Sequence, residues 1–212
     1  MPNGISLQLI NKSDNANGLT VLIFQRNATL GHDETVVAWR VVRDLPQDGR
    51  DSFFFSDDLS VSASDSWGNF TPQFPVRPGQ AYQMVLSVSG DVLQPYSPGA
   101  SNPSEIDVRN HLSDGAINAQ LYRSKELLAT KTAIAPGQKA SFAFQPTLFF
   151  GVVAQMEPGE IIPPSTLPEL TEISLRGVQS ADIVITGGAG APYIFTLQNV
   201  VQPEDTTLTP LE

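Results

Sequence analysis

Short runs of alternating apolar and polar residues, broken by turn-forming clusters, fill most of this chain. Ile5, Leu7 and Leu9 alternate with Ser6 and Gln8, and Leu59-Ser60-Val61-Ser62-Ala63-Ser64 keeps the same two-residue period, that of a strand with one buried face. Val21-Leu22-Ile23-Phe24 is a continuous apolar run that fits a strand covered on both faces, and Leu148 to Met156 reads as another, interrupted by Gly151. Val36 to Arg43, β-branched and carrying Trp39, reads as a further central strand, and Asp51 to Phe55 as a short one. In that short strand Phe53 and Phe55 share a face and Phe54 takes the other, which makes the phenylalanine cluster a candidate interface. Asp182 to Thr186 and Tyr193 to Val200 read as a hairpin closed by Gly187 to Pro192.

One pattern occurs twice. Leu59 to Val88 and Ile117 to Gln145 each read as strand, turn, strand, Pro-Gly-Gln, strand, with Pro78-Gly79 and Pro136-Gly137 at corresponding turns. The expectation is a single body over residues 1–201 containing this internal repeat. A possible sub-boundary lies in the Pro- and Gly-rich stretch 89–104, and residues 202–212 have the composition of a tail. Thr166 and Glu169 have capping-box spacing, and Leu167, Leu170 and Ile173 recur every three residues, so a short helix closing at Arg176-Gly177 is expected there; a strand over Ile173 to Leu175 is the alternative. The fold class is therefore all-β: an enlarged or internally duplicated antiparallel β-sandwich with at most one short helix near the C-terminus.

Composition sharpens this. The chain has 17 Pro and 16 Gly in 212 residues, which leaves little room for long helices. Charged residues are only 16%, so the polar surface must be mostly Ser, Thr, Asn and Gln, a composition that suits exposed strands. With no cysteine there are no disulfides, thiolate metal sites or cysteine nucleophiles. A net charge of −10 repels phosphate backbones, so nucleic acid is not an expected partner. No apolar run approaches the length of a membrane span. The start of the chain lacks the basic and apolar regions of a secretory signal, which gives cytoplasmic synthesis as the expectation and leaves leaderless release open.

Candidate chemistry is sparse. Trp67 lies in a predicted turn with Phe70 close behind, and an indole at a loop tip can stack on a sugar ring or fill a partner's pocket. Trp67, Phe70, Phe53 and Phe55 are the candidate binding residues. Asp57, Asp58 and Asp65 lack the spacing of a calcium loop, and His32 and His111 have no patterned partners. No Gly-x-Ser-x-Gly elbow is present, and Gly187 to Gly190 lacks the Lys-Ser/Thr ending of a phosphate loop. No catalytic residue, metal or cofactor is expected. The leading functional expectation is a non-enzymatic structural or interaction protein whose partner is itself, because many strands share few charges to guard their edges. A carbohydrate- or other ligand-binding module using exposed aromatics is the alternative, and a hydrolase or metal enzyme the third.

Overall fold

A computed structural model describes residues 4–29, 35–163 and 170–203. The alternating runs become seventeen strands among these residues, with no helix. The first half of the chain supplies β1 (Gly4–Asn11), β2 (Leu19–Phe24), β3 (Thr35–Val36), β4 (Arg40–Leu45), β5 (Arg50–Ser56), β6 (Leu59–Ser64), β7 (Phe74–Val76), β8 (Ala81–Ser87) and β9 (Gly90–Pro95). The second half supplies β10 (Ile106–Asn110), β11 (Ile117–Arg123), β12 (Glu126–Ile134), β13 (Lys139–Phe142), β14 (Thr147–Val153), β15 (Thr171–Ser174), β16 (Ser180–Gly188) and β17 (Ala191–Val201).

These strands form four sheets, in the orders β17-β16-β1-β5, β15-β14-β2-β4, β13-β10-β8-β9 and β3-β12-β11-β6-β7. The first two pack face to face. Phe150 of β14 stacks on Phe195 of β17 at 5.5 Å, and Trp39, just before β4, meets Phe53 and Phe55 of β5 edge-on. The last two pack likewise, with Phe74 of β7 stacked on Tyr82 of β8 at 5.7 Å. One continuous apolar core runs through both sandwiches, from Leu9 and Ile183 to Val108 and Leu121. A smaller cluster of Leu22, Phe24, Ala38, Phe149, Met156 and Ile162 covers the outer face of β2 and β14, which is why those strands read as apolar on both faces.

The two sandwiches are built alike. Each first sheet holds one parallel pair, β1 with β16 and β8 with β10, and all other neighbours are antiparallel. Matching sheet orders makes β1, β2, β4 and β5 the counterparts of β10 to β13, and β6 to β9 the counterparts of β14 to β17. The repeat is thus half the chain, β1–β9 against β10–β17. Segments 59–88 and 117–145 do not correspond to each other: β8 lies between β9 and β10, whereas β13 is an edge strand beside β10 alone. Their resemblance reflects a shared local device, a hairpin in one sheet followed by a Pro-Gly turn into the facing sheet.

Hydrogen bonds confirm the correspondence. Asn11 and Asn110 are both fully buried at the ends of β1 and β10. The Nδ2 of Asn11 donates to the Leu45 carbonyl, and that of Asn110 to the Ile134 carbonyl. Each Oδ1 accepts the backbone N–H two residues on, from Ser13 and from Leu112. The backbone N–H groups donate to Gly49 and Gln138, and the carbonyls accept from Asp48 and Gly137. Even the left-handed residues match, Asp44 with Ala133 and Asp48 with Gly137.

Each sandwich, however, takes half its strands from each repeat. β1, β2, β4 and β5 pack with β14–β17, while β6–β9 pack with β10–β13 and with the short β3, which pairs with β12. β1 is consequently an interior strand, paired with β16 and β5, and not the unguarded edge that its lack of lysine suggests. The described part of the expected helix, Thr171–Ser174, is β15, paired with β14; residues 164–169 fall outside the described residues. Trp39 sits between β3 and β4, where the Val36 to Arg43 strand is interrupted, and its indole N–H donates to the Arg123 carbonyl at 3.3 Å. Segment 96–105, which joins the repeats, is fastened through Ser101 to Asp107, a carboxylate with no exposed side-chain surface that also receives Lys139 Nζ at 2.8 Å and Ser141 Oγ at 2.7 Å. Burial opposes the charge on Asp107, yet these donors prevail and hold its pKa below the ordinary value.

Removing one buried asparagine leaves a carbonyl and an N–H unpartnered in the core. Asn11→Ala and Asn110→Ala should each lower stability by about 2–3 kcal/mol and by similar amounts, because the two sites share their main bonds and each adds one more, Asn11 from Ser13 Oγ and Asn110 to the Gly115 carbonyl. Urea unfolding with an unchanged slope checks this.

Candidate functional site

The sites expected from the sequence do not all lie at the surface. Phe53 and Phe55 are buried against Trp39, so neither presents its ring at the surface as expected; the strand's outward phenylalanine is Phe54. Alternation placed the pair on one face correctly, and that face is the core because β5 covers β4. Trp67 and Phe70 are exposed, at 88% and 65%.

Both stand on the loop between β6 and β7. Asp65 shapes that loop: its Oδ1 accepts the N–H groups of Trp67 and Asn69, its Oδ2 accepts Asn69 Nδ2 at 2.7 Å, and its backbone closes onto Asn69. Gly68 takes the left-handed conformation that a residue with a Cβ adopts at a cost. The two hydrogen bonds from Asn69, larger than the opposing desolvation and joined by those from Trp67 and Gly68, hold the Asp65 pKa below its ordinary value. The indole is therefore presented by a fixed backbone rather than folded onto its own hairpin.

The turn between β8 and β9 lies alongside. Phe70, Thr71, Asn69 and Asp65 from one loop line a cleft of about 400 Å³ with Ser89, Gly90 and Asp91 from the other. β8 runs past the end of the core, so Tyr82 and Met84 are buried while Leu86 and Val88, on the same alternation, are exposed. Leu86 and Val88 make the end of this hairpin, which lends Ser89 to Asp91 to the cleft, an apolar tip. The tip thus combines aromatic faces with carboxylate, amide and hydroxyl groups. That set can stack on a flat apolar face and hydrogen-bond hydroxyls beside it.

A larger cleft, about 1040 Å³, lies where β5 passes into β6, between Phe54, Asp57, Arg77 and Lys125. On the other side of the same link Arg123 is buried, its guanidinium 4.3 Å from the Phe55 ring centre and bonded through NH1 to the Ser56 carbonyl. Desolvation pushes its pKa down to about 10, with Asp57 opposing that shift. Arg123 stays charged, and its contacts are with the protein's own chain.

The remaining candidates do not converge. Asp57 and Asp65 lie at opposite ends of β6, and no group of three His, Asp or Glu side chains gathers among the described residues. His111 packs edge-on against Tyr96, and His32 lies outside the described residues. Gly187 to Gly190 belongs to the β16–β17 hairpin, where Gly187, Gly188 and Gly190 all have positive φ. No described helix is long and apolar enough to cross a membrane. Fold and site together define an all-β protein of two interlocked sandwiches with an apolar tip on one of them. No protein-family model, curated protein or solved structure matches the chain.

Protonating Asp65 removes the acceptor that orders the loop. Because its folded pKa is depressed, this contribution is complete above the ordinary carboxylate value of about 3.9 and is lost as pH falls through the lower folded value. Loop mobility at Trp67, read as fast fluorescence anisotropy decay in a Trp39→Phe background, should rise in acid, and Asp65→Ala should show the same mobility at pH 7.

Proposed function

We propose that the protein is a non-enzymatic structural β-protein that associates with its own copies through the free edge of β17. The observation that carries this reading is the strand itself. β17 is eleven residues long, ends its sheet with β16 as its one neighbour among the described strands, and contains no charged residue. Natural edges are usually blunted by charge, proline or bulges. Here Pro192 stands at the start and irregular register occurs at both ends of the β16 pairing. Ile194 to Gln198 pairs regularly, with Ile194, Thr196 and Gln198 exposed. Such a stretch can add a strand from another copy through backbone hydrogen bonds.

The net charge of −10 opposes this approach, so association should strengthen as salt rises and as pH falls toward the pI near 4.5. Light scattering after size exclusion should find dimers or larger species that Ile194→Lys with Gln198→Lys disperses. Those substitutions lower the net negative charge, which by itself favours association, so dispersal would report the guarded edge. A monomer at every salt concentration would overturn the reading.

A second reading, favoured by the fixed presentation of Trp67, is carbohydrate binding at the tip. The cleft that the Trp67 loop lines through Phe70 offers Asp65, Asn69, Thr71, Ser89 and Asp91 to sugar hydroxyls. A glycan array should then give signals that Trp67→Ala reduces about tenfold or more, the loss expected for one stacked ring of roughly 1.5 kcal/mol. Signals unchanged by Trp67→Ala would reject the site.

A further inference from the structure

We infer that a second copy of this chain can complete either repeat, so that two chains exchange repeats into an interlocked dimer. The starting observation is that neither sandwich belongs to one repeat: β1, β2, β4 and β5 are completed by β14–β17, and β6–β9 by β10–β13, whose β12 also takes β3 of the first repeat as its neighbour.

The short β5–β6 link explains why. Only Asp57 and Asp58 separate Ser56 from Leu59. For the first repeat to close on itself, β6 would have to occupy the place that β14 holds, two strands in from β4, which itself faces β5. That is about two strand spacings sideways and one sheet spacing across, roughly 14 Å, whereas three extended residue steps reach about 11 Å. The first repeat therefore needs a complement from elsewhere. Within one chain the complement arrives through segment 96–105. Supplied by another copy, it would re-form every strand pairing and the same core, and only the path of that segment would change. The balance between the two forms is then set by chain concentration against the effective concentration of the tether, on the order of 1 mM for a short flexible one, and by strain in the tether.

This inference rests on reading the protein as self-associating, but it fails separately from the β17 proposal. The chain has no cysteine, which permits a clean covalent reporter. Ser62 in β6 and Gln120 in β11 are register partners, one from each repeat, with Oγ and Oε1 3.2 Å apart. In the chain carrying Ser62→Cys and Gln120→Cys, oxidation links a single chain to itself in the monomer and two chains in the exchanged dimer.

Deleting Tyr96 to Ser104 leaves Glu105 alone between Pro95 and Ile106, a reach of about 7 Å against the roughly 10 Å across β8. This variant should run as a covalent dimer on a non-reducing denaturing gel. The undeleted double-cysteine chain, refolded from denaturant at rising concentration up to about 1 mM, should give a growing dimer band that Ile194→Lys with Gln198→Lys does not remove. A folded deletion variant linked only to itself would overturn the inference. So would an undeleted chain that yields no interchain product at any refolding concentration, whatever the deletion does to folding. Edge pairing through β17 would appear instead as a native dimer that separates into self-linked monomers on the denaturing gel.

Discussion

The β5–β6 link is two residues long, and the architecture follows from how little chain that is. It cannot carry β6 back across its own sandwich, so β6 begins a second one beside the first. The link is also held where it crosses. Ser124 donates its N–H to the Asp58 carbonyl, Asp58 donates to Ser56 Oγ, and the buried Arg123 guanidinium meets the Ser56 carbonyl and the Phe55 ring. Burying that cation costs solvation, and the aromatic face, the carbonyl and the nearby Asp57 offset the cost. Trp39 closes the junction from the other side by bonding the Arg123 carbonyl. A strand of the first sandwich, a hairpin of the second and the link between them are thus fixed at one point.

Interlocking has thermodynamic consequences. Neither sandwich can unfold while the other stays whole, because each loses half its strands when either repeat opens. The continuous core from Leu9 to Leu121 adds to this coupling. A single cooperative transition is the physical expectation for such a body, although its size would permit two. The pairing of β1 with β16 joins residues from opposite ends of the described chain, and loop closure of that span must precede the contacts that reward it.

Much of the fold was legible because strand period and turn chemistry are local. The two-residue alternation located β1, β6, β8, β11 and β13, and the doubly apolar runs located β2 and β14. The long-range partners were not legible. Nothing in Ile5 to Ile10 says that both its edges are covered, since β16 and β5 supply that cover from elsewhere in the chain. The true repeat was hidden for a similar reason. Its clearest sequence traces are Arg50 to Phe55 against Lys139 to Phe144, together with Asn11 against Asn110, whereas the more visible Pro-Gly-Gln turns mark strands that are not counterparts. At the candidate site, Trp67 and Phe70 were found by turn chemistry. Leu86 and Val88 were missed because alternation shows which face a residue shares, and not where the core beneath that face stops.

The two sandwiches share a plan but have used one loop differently. Between β14 and β15 the chain lays Met156 and Ile162 over the outer face of β14 and β2, against Phe149, Phe24 and Leu22. Its counterpart between β6 and β7 is shorter, and the outer face beside it is polar, with Ser62 bonded to Gln120 and Tyr122, and Gln120 and Asn118 to Ser64. That face needs no apolar cover. The β6–β7 loop is therefore free to project Trp67 at the end of the sandwich, held by the bonds of Asp65 and by those of Thr71 to Ala63. A duplicated fold allows this division, since one copy can spend its loop on the core while the other keeps its loop at the surface. The exposed tip lies on the copy whose outer sheet face is already satisfied by hydrogen bonds, which is where a projecting aromatic costs the fold least.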